Sequence, residues 1–263
     1  MTTEQSLDAA LEVAAQPKDT RTVLDLIETM RPEIEKSLQN EQAAAILVRH
    51  YYSAIRFNEL LRQCTGESLV AALLLSAQVR LEPGPLGHVY LVPFRNTKLN
   101  CHEVVWMLGY TGIIELGRRG GAVGLRAEVV WDNDEYVQPW SDERGLHWTL
   151  RPGEIKERKE RVGCLVTWRE GVERRAERMA LHMPPERVDV AIKASRNPKA
   201  RELREEDWYW RKTAVRFTRP WLPLSTAQAQ TFAQASAADG AIVHTLDVDE
   251  TGAAYAEIED GDA

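Results

Sequence analysis

The side chains in this sequence whose types and spacing could do chemistry are cations. Arg95 and Lys98 bracket Asn96-Thr97, Arg118 and Arg119 stand just before Gly120-Gly121, and Trp208, Lys212, Arg216 and Arg219 recur at i, i+4, i+8 and i+11. On a helix that last spacing puts one aromatic and three cations on a single stripe. Lys193, Arg196 and Arg211 add charge to the same carboxy-proximal region. Such groups do no covalent chemistry. Clustered in a groove, they hold phosphates along a backbone while base edges stay free, and aromatics such as Tyr110 and Trp208 can stack on bases. Taken singly, each of these cations is at home on any solvated surface, so the argument rests on their joint occurrence. Tyr90 lies in a run that is apolar on both faces and reads as core.

Covalent and metal chemistry find little support. His50, His88, His102, His147, His182 and His244 form neither a metal-ligand spacing nor a partner set for a nucleophile. Asp132, Asp134 and Glu135 are close enough to hold Mg²⁺ loosely, but an acidic turn between strands is ordinarily just solvated. No cofactor is required. The glycines from Gly117 to Gly124 follow a helical pattern instead of a strand and lack the GK[ST] ending of a phosphate loop. Cys64, Cys101 and Cys164 are far apart with no CxxC, which points to reduced, buried thiols. The chain reads as a binding protein, not an enzyme.

A net charge of −7 taken alone argues against a polyanionic ligand, yet eight of the 40 acidic residues, and none of the 33 Lys and Arg, fall in residues 239–263. The remaining body carries 33 basic against 32 acidic residues. Within it, Arg80 to Arg126 holds six basic against three acidic residues, and Lys193 to Arg219 nine against four. A backbone is bound through local charge, so the acidic balance of the whole does not exclude it. Hydrophobic residues make up 44% of 263, enough for a sizeable core. No apolar run of about 18 residues could span a bilayer, and the amino end does not resemble a signal peptide, so a cytoplasmic location without membrane association is expected.

The elements that must position the cations follow from periodicity. Residues 1–20 lack a strong pattern and are expected to be disordered. Helices are expected from Thr20 or Thr22, with Pro32 ending the first or opening the next, from Asn40 to about Phe57, and from Thr65 through Ala77. Val79-Arg80-Leu81-Glu82-Pro83 leads into a hairpin of His88 to Phe94 and Leu99 to Met107, turning at Asn96-Thr97-Lys98. Thr111 can cap a short helix that stops at Gly120-Gly121. A half-exposed strand at Leu125 to Trp131, a possible short strand at Leu146 to Leu150, and strands Val162 to Arg169 and Val172 to Met179 around Glu170-Gly171 would extend the hairpin into one antiparallel sheet. Pro184-Pro185 opens a helix to about Ala194. Arg196 to Arg201 forms a basic loop. A helix from about Arg204 ends at Pro220, with Trp210, Ala214 and Phe217 facing the core. The expectation is an α+β fold, a curved antiparallel sheet with packed helices in a single main domain over residues 21–225, followed by a flexible acidic tail at 226–263.

The order Leu81-Glu82-Pro83, Leu86-Gly87-His88, Tyr90-Leu91-Val92-Pro93-Phe94, Gly109-Tyr110-x-Gly112 and Arg118-Arg119-x-Gly resembles the RecT family of phage single-strand annealing proteins. Trp208-x3-Lys212-Thr213-Ala214-Val215-Arg216, followed by Leu222-Pro223, is similar to that family's carboxy-proximal helix and its exit. Pro220 departs from the pattern. The resemblance implies a RecT-like annealing fold that binds single-stranded DNA without sequence preference or ATP, anneals it to duplex, and assembles as homo-oligomeric rings or helical filaments in the cytoplasm of a bacterial host. It also implies a cognate exonuclease and a host single-strand-binding protein as partners. With the clustered cations read above, the residues expected at the DNA are Arg95, Lys98, Tyr110, Arg118, Arg119, Lys193, Arg196, Trp208, Arg211, Lys212 and Arg216. A passive coating protein or, less compatibly, a nuclease would be the alternative reading.

Overall fold

The computed structural model describes residues 20–97, 99–171, 176–195 and 199–224. They combine helices with antiparallel sheets, and the chain divides near Gly112 into two compact units. The expected disordered amino end and acidic tail lie outside the described residues.

The first unit opens with α1 (Thr20–Thr29), α2 (Arg31–Leu38) and α3 (Glu41–Phe57), followed by the single turn α4 (Glu59–Arg62) and α5 (Gly66–Val79). Pro32 sits in the first turn of α2, where its missing N–H costs nothing. Asn40 caps α3 by accepting from the Ala43 N–H at 2.9 Å, and Thr65 caps α5 by accepting from the Ser68 N–H at 3.4 Å. Ala44, Leu47, Val48, Tyr51 and Ile55 of α3 are buried, as are Leu69, Val70, Leu73 and Ala77 of α5. β1 (Val89–Asn96) and β2 (Cys101–Leu108) form the expected hairpin, with Asn96 opposite Cys101 and Val89 opposite Leu108. Both faces of β1 are mostly buried, as an unbroken apolar run demands.

At the centre of this unit the Ser76 hydroxyl is paired twice. Trp106 Nε1 donates to it at 2.8 Å, and Tyr51 Oη lies 2.9 Å away. All three side chains are buried, and burial pushes the Tyr51 phenol well above its ordinary pKa. The glycines of the family-like motifs have a physical reason here. A Cβ on Gly109 would fall 1.9 Å from the Gly87 carbonyl oxygen, and one on Gly112 would fall 2.4 Å from that of His88. These close approaches join the start of β1 to the end of β2. Thr111 does not cap the following helix as expected. It lies inside the first turn, and its hydroxyl donates to the Gly87 carbonyl at 2.5 Å.

The second unit contains most of α6 (Tyr110–Gly120), then β3 (Ala122–Trp131), the hairpin β4 (Glu135–Asp142) and β5 (Gly145–Arg151), β6 (Arg161–Glu170), β7 (Glu177–Met183), α7 (Glu186–Ala194) and α8 (Asp207–Thr218). A three-stranded antiparallel sheet has the order β3-β6-β7, and β4-β5 pair separately. α8 lies on β3 and β6 and buries Tyr209, Trp210, Ala214 and Val215. Trp210 Nε1 donates to the Arg204 carbonyl at 2.8 Å. Arg161, almost buried, reaches Asp207 at 2.9 Å and Glu205 at 3.1 Å while its guanidinium stands 4.5 Å over the Trp131 ring. α6 is held through its glycines, since a Cβ on Gly120 would fall 1.5 Å from the Pro223 carbonyl oxygen, and Gly117 faces Leu222. Two sequence motifs about a hundred residues apart therefore meet, each explaining the other's residue types.

Several expectations are corrected. The described strands form three separate sheets instead of one. A sheet grows by offering a free edge, and the outer edge of β2 is already taken: the Val104 N–H donates to Ser68 Oγ at 2.9 Å, and the Thr65 N–H donates to the His102 carbonyl at 2.8 Å. β4 escaped notice because Glu135–Asp142 is mostly exposed on both faces and so has no alternation. β7 pairs with Glu177 opposite Glu170 and Arg178 opposite Arg169, a register that a two-residue turn at Glu170-Gly171 would not give; residues 172–175 lie outside the described residues. α8 starts at Asp207, after a separate 3₁₀ turn at Glu202–Glu205. Phe217 is half-buried instead of core, with the Arg187 guanidinium 5.1 Å over its ring.

Candidate nucleic-acid interface

The cations singled out by sequence fall in both units. In the first, Arg95 is exposed near the end of β1, opposite His102, and Tyr110 is 37% exposed at the start of α6. Lys98 and Arg196 lie outside the described residues.

In the second unit, α6 ends on Arg118 and Arg119, where positive charge suits the helix carboxyl terminus. Helical geometry places both within reach of Glu115. Arg118 makes a two-pronged contact, Nε to Oε2 at 2.8 Å and Nη2 to Oε1 at 2.9 Å, and Arg119 Nε reaches Oε1 at 2.9 Å. Hydrogen bonds from the Arg118 guanidinium, and then from Arg119, hold the Glu115 carboxyl down at about 2. The two arginines share one carboxylate. The Arg118 side chain still exposes 63% of its surface.

The carboxy-proximal stripe is brought together on α8. Lys212 Nζ stands 5.2 Å from the Trp208 ring and 4.3 Å from the Tyr209 ring, a doubly cation–π arrangement that fixes the ammonium over aromatic faces. Trp208, Lys212 and Arg216 are half-exposed, whereas Arg211 is exposed and 4.0 Å from Asp207. Lys193 is exposed in the last turn of α7. An aromatic–cation surface of this kind offers charge and a ring face side by side.

The acidic turn at Asp132-Asn133-Asp134 is occupied by structural bonds. Asp132 accepts from the Lys159 and Glu160 N–H groups, chiefly the first, which lowers its pKa, and Asp134 accepts from the Trp131 and Gly153 N–H groups. Burial pushes the thiols of Cys64 and Cys164 up to about 12, while Cys101 is only half-buried. Among the described residues there is no group of three or more His, Cys, Asp or Glu able to hold a metal ion, and no helix is long and apolar enough to cross a membrane.

Sequence reasoning missed one feature. A concavity of about 460 Å³ in the second unit is lined by Val123, Gly124, Arg126, Thr167, Arg169 and Arg178 of the β3-β6-β7 sheet, with Trp148 of β5 and Trp168 beside them. Its arginines are distant in sequence, and only the strand register reveals them as neighbours.

Comparison with known sequences gives this geometry its context. A sequence profile of the RecT family matches residues 47–246, more than half of the chain, and the chain belongs to that family. It is similar to Protein RecT of Escherichia coli (strain K12), with 36% identity over 131 residues, a match covering 48% of each protein, so the chain spans about half the length of that curated relative. No solved structure matches.

Proposed function

We propose that this chain is an ATP-independent single-stranded DNA-binding and strand-annealing protein of phage-type homologous recombination, with residues 21–225 as the annealing region. Membership of the RecT family carries the reading. The aromatic–cation surface of α8 supports it, because Lys212 over Trp208 combines phosphate attraction with a stacking ring and offers no base-specific donor pattern. Binding is therefore expected to be indifferent to sequence and steeply dependent on salt. The candidate contacts are Arg95, Lys98, Tyr110, Arg118, Arg119, Lys193, Arg196, Trp208, Arg211, Lys212 and Arg216. Neutralising two backbones lowers their repulsion while base edges stay exposed, so pairing supplies the driving force and neither nucleotide hydrolysis nor a metal cofactor is needed.

On this reading the protein works in the bacterial cytoplasm as a homo-oligomer, a ring or helical filament on DNA, beside a cognate exonuclease and the host single-strand-binding protein. The test is annealing of complementary fluorophore- and quencher-labelled strands with and without the protein, with no ATP. Accelerated quenching is expected. Binding without acceleration would mark a passive coating protein, and strand degradation in Mg²⁺ a nuclease; either result overturns the annealing assignment.

A further inference from the structure

Three arginines of the second unit share one face of one sheet. Pairing places Arg126 opposite Thr167, and Arg169 opposite both Val123 on β3 and Arg178 on β7. Thr167 and Arg169 are two apart on β6, so with period-two alternation Arg126, Thr167, Arg169 and Arg178 all face the same way. Glu170 and Glu177, adjacent in sequence to Arg169 and Arg178, belong to the opposite face by the same rule, and Trp168 Nε1 donates to Glu170 Oε2 at 3.5 Å; Glu128, two residues after Arg126 and opposite Leu165, is the acid that shares the arginines' strand face. All three arginines are exposed, and among the described residues none of them makes an ion pair. Like charges directly opposite on neighbouring strands destabilise a sheet. In a chain with a formal charge of −7, concentrating cations this way calls for a counter-charge from outside the fold.

The shape of the concavity narrows what that counter-charge is. About 460 Å³ is room for a nucleotide-sized group, and the half-buried Trp148 ring lines the space together with Arg126, Arg169 and Arg178. Thr167 adds a hydroxyl that can donate to a phosphate oxygen. Guanidinium forks match phosphate oxygens in pairs, and an indole face accepts any base. A free inorganic anion would use the arginines and leave the ring idle.

We propose that this concavity is a second nucleic-acid contact, separate from the α6 and α8 cations, in which Arg126, Arg169 and Arg178 hold consecutive backbone phosphates of a single strand and Trp148 stacks on a base. The proposal rests on the single-strand-binding function above and adds a contact to it. It gives the second unit a way of gripping the strand through a sheet face as well as through helices.

The test compares the full-length protein with Arg169→Gln/Arg178→Gln, Trp148→Ala and the control Arg151→Gln, which removes an exposed cation already paired with Glu135 at 3.0 Å. Salt titrations of oligothymidylate binding are expected to show the log–log slope of the double variant flattened by about 1.4 and that of the control by far less, at about 0.7 per lost single-strand contact. Trp148→Ala is expected to lower affinity roughly tenfold for oligothymidylate and to leave an abasic oligonucleotide unaffected, as loss of one stacked base would. Melting curves guard against misfolding. The double variant is expected to melt at or above the wild-type temperature, because it relieves repulsion, whereas residues kept only for packing would lower it when replaced.

A wild-type protein that binds no single strand overturns the functional reading and this contact with it. A wild type that binds and anneals, with the double variant's slope equal to the control's, overturns the contact alone. So does an equal loss of abasic and thymidylate binding in Trp148→Ala.

Discussion

The buried centre of the first unit and the arginine concavity of the second treat polar groups in opposite ways. At Ser76 each polar side-chain atom has a partner: one hydroxyl serves Trp106 and Tyr51, and all three are shut away from water. In the concavity, Arg126, Arg169 and Arg178 are exposed and lack an acid partner among the described residues. The glutamate-clamped pair Arg118 and Arg119 falls between the two. Polar groups that complete each other stabilise a fold, and those left incomplete are available to a ligand. The number of charges in a stretch of sequence is therefore a poor guide to the charge available for binding.

The largest expected effect tests the completed side. Ser76→Ala orphans the Trp106 N–H and the Tyr51 hydroxyl together. At about 1–3 kcal/mol for each buried unsatisfied group, a loss of about 3 kcal/mol is expected from denaturant unfolding. Tyr51→Phe in the same background removes one orphan, so the double variant is expected to lose less than the sum of the two single changes by about 1 kcal/mol or more. Strict additivity would show that the hydroxyls are not a unit. Gly120→Ala tests a neighbouring kind of completeness, backbone against backbone. A Cβ 1.5 Å from the Pro223 oxygen must displace the chain after α8, and a loss of about 2 kcal/mol is expected in the same measurement.

Much of the first unit was legible in the sequence because its devices are local. The Asn40 and Thr65 caps, the Pro32 helix start and the doubly apolar β1 each announce themselves within a few residues. Why Gly109 and Gly120 are glycines became visible only when Gly109 met the Gly87 carbonyl and Gly120 met that of Pro223. What stayed hidden depends on register and on competition for partners. That the outer edge of β2 is consumed by Ser68 and Thr65 cannot be read from β2. Arg126, Arg169 and Arg178 are unremarkable one at a time, and only the pairing of three strands makes them a cluster. Arg118 and Arg119 were legible as cations, yet Glu115, three and four residues back, changes what they can offer.

An intermediate effect follows for that pair. Glu115→Gln removes the charge that both arginines share while keeping an amide near them. On the proposed reading this frees one more cation for a phosphate, so single-strand affinity is expected to rise about threefold near 0.1 M salt, with the salt slope steeper by about 0.7. Lys212→Ala is expected to move the slope the other way by a similar amount, uniformly across sequences. A variant at Glu115 that bound no better would mean that Arg118 and Arg119 serve the helix end and not DNA.

The smallest effect is on stability and concerns the same carboxylate. Glu115 is held at about 2, below its ordinary value near 4.5, by Arg118 and Arg119. Because the folded form binds its proton more weakly than the unfolded chain does, the ion pair's contribution is complete above about pH 4.5. It fades as pH falls from there toward 2. Arg118 is largely solvated, so the contribution is worth under about 1 kcal/mol. Thermal melts of the wild type and Glu115→Gln are therefore expected to differ by a few degrees at most at pH 6 and to converge as pH approaches 2. High salt at pH 6 should narrow the same gap, because the guanidinium surface that remains open to a phosphate is equally open to counterions. A gap that persisted unchanged at pH 2 would assign the role of Glu115 to packing instead of to the ion pair.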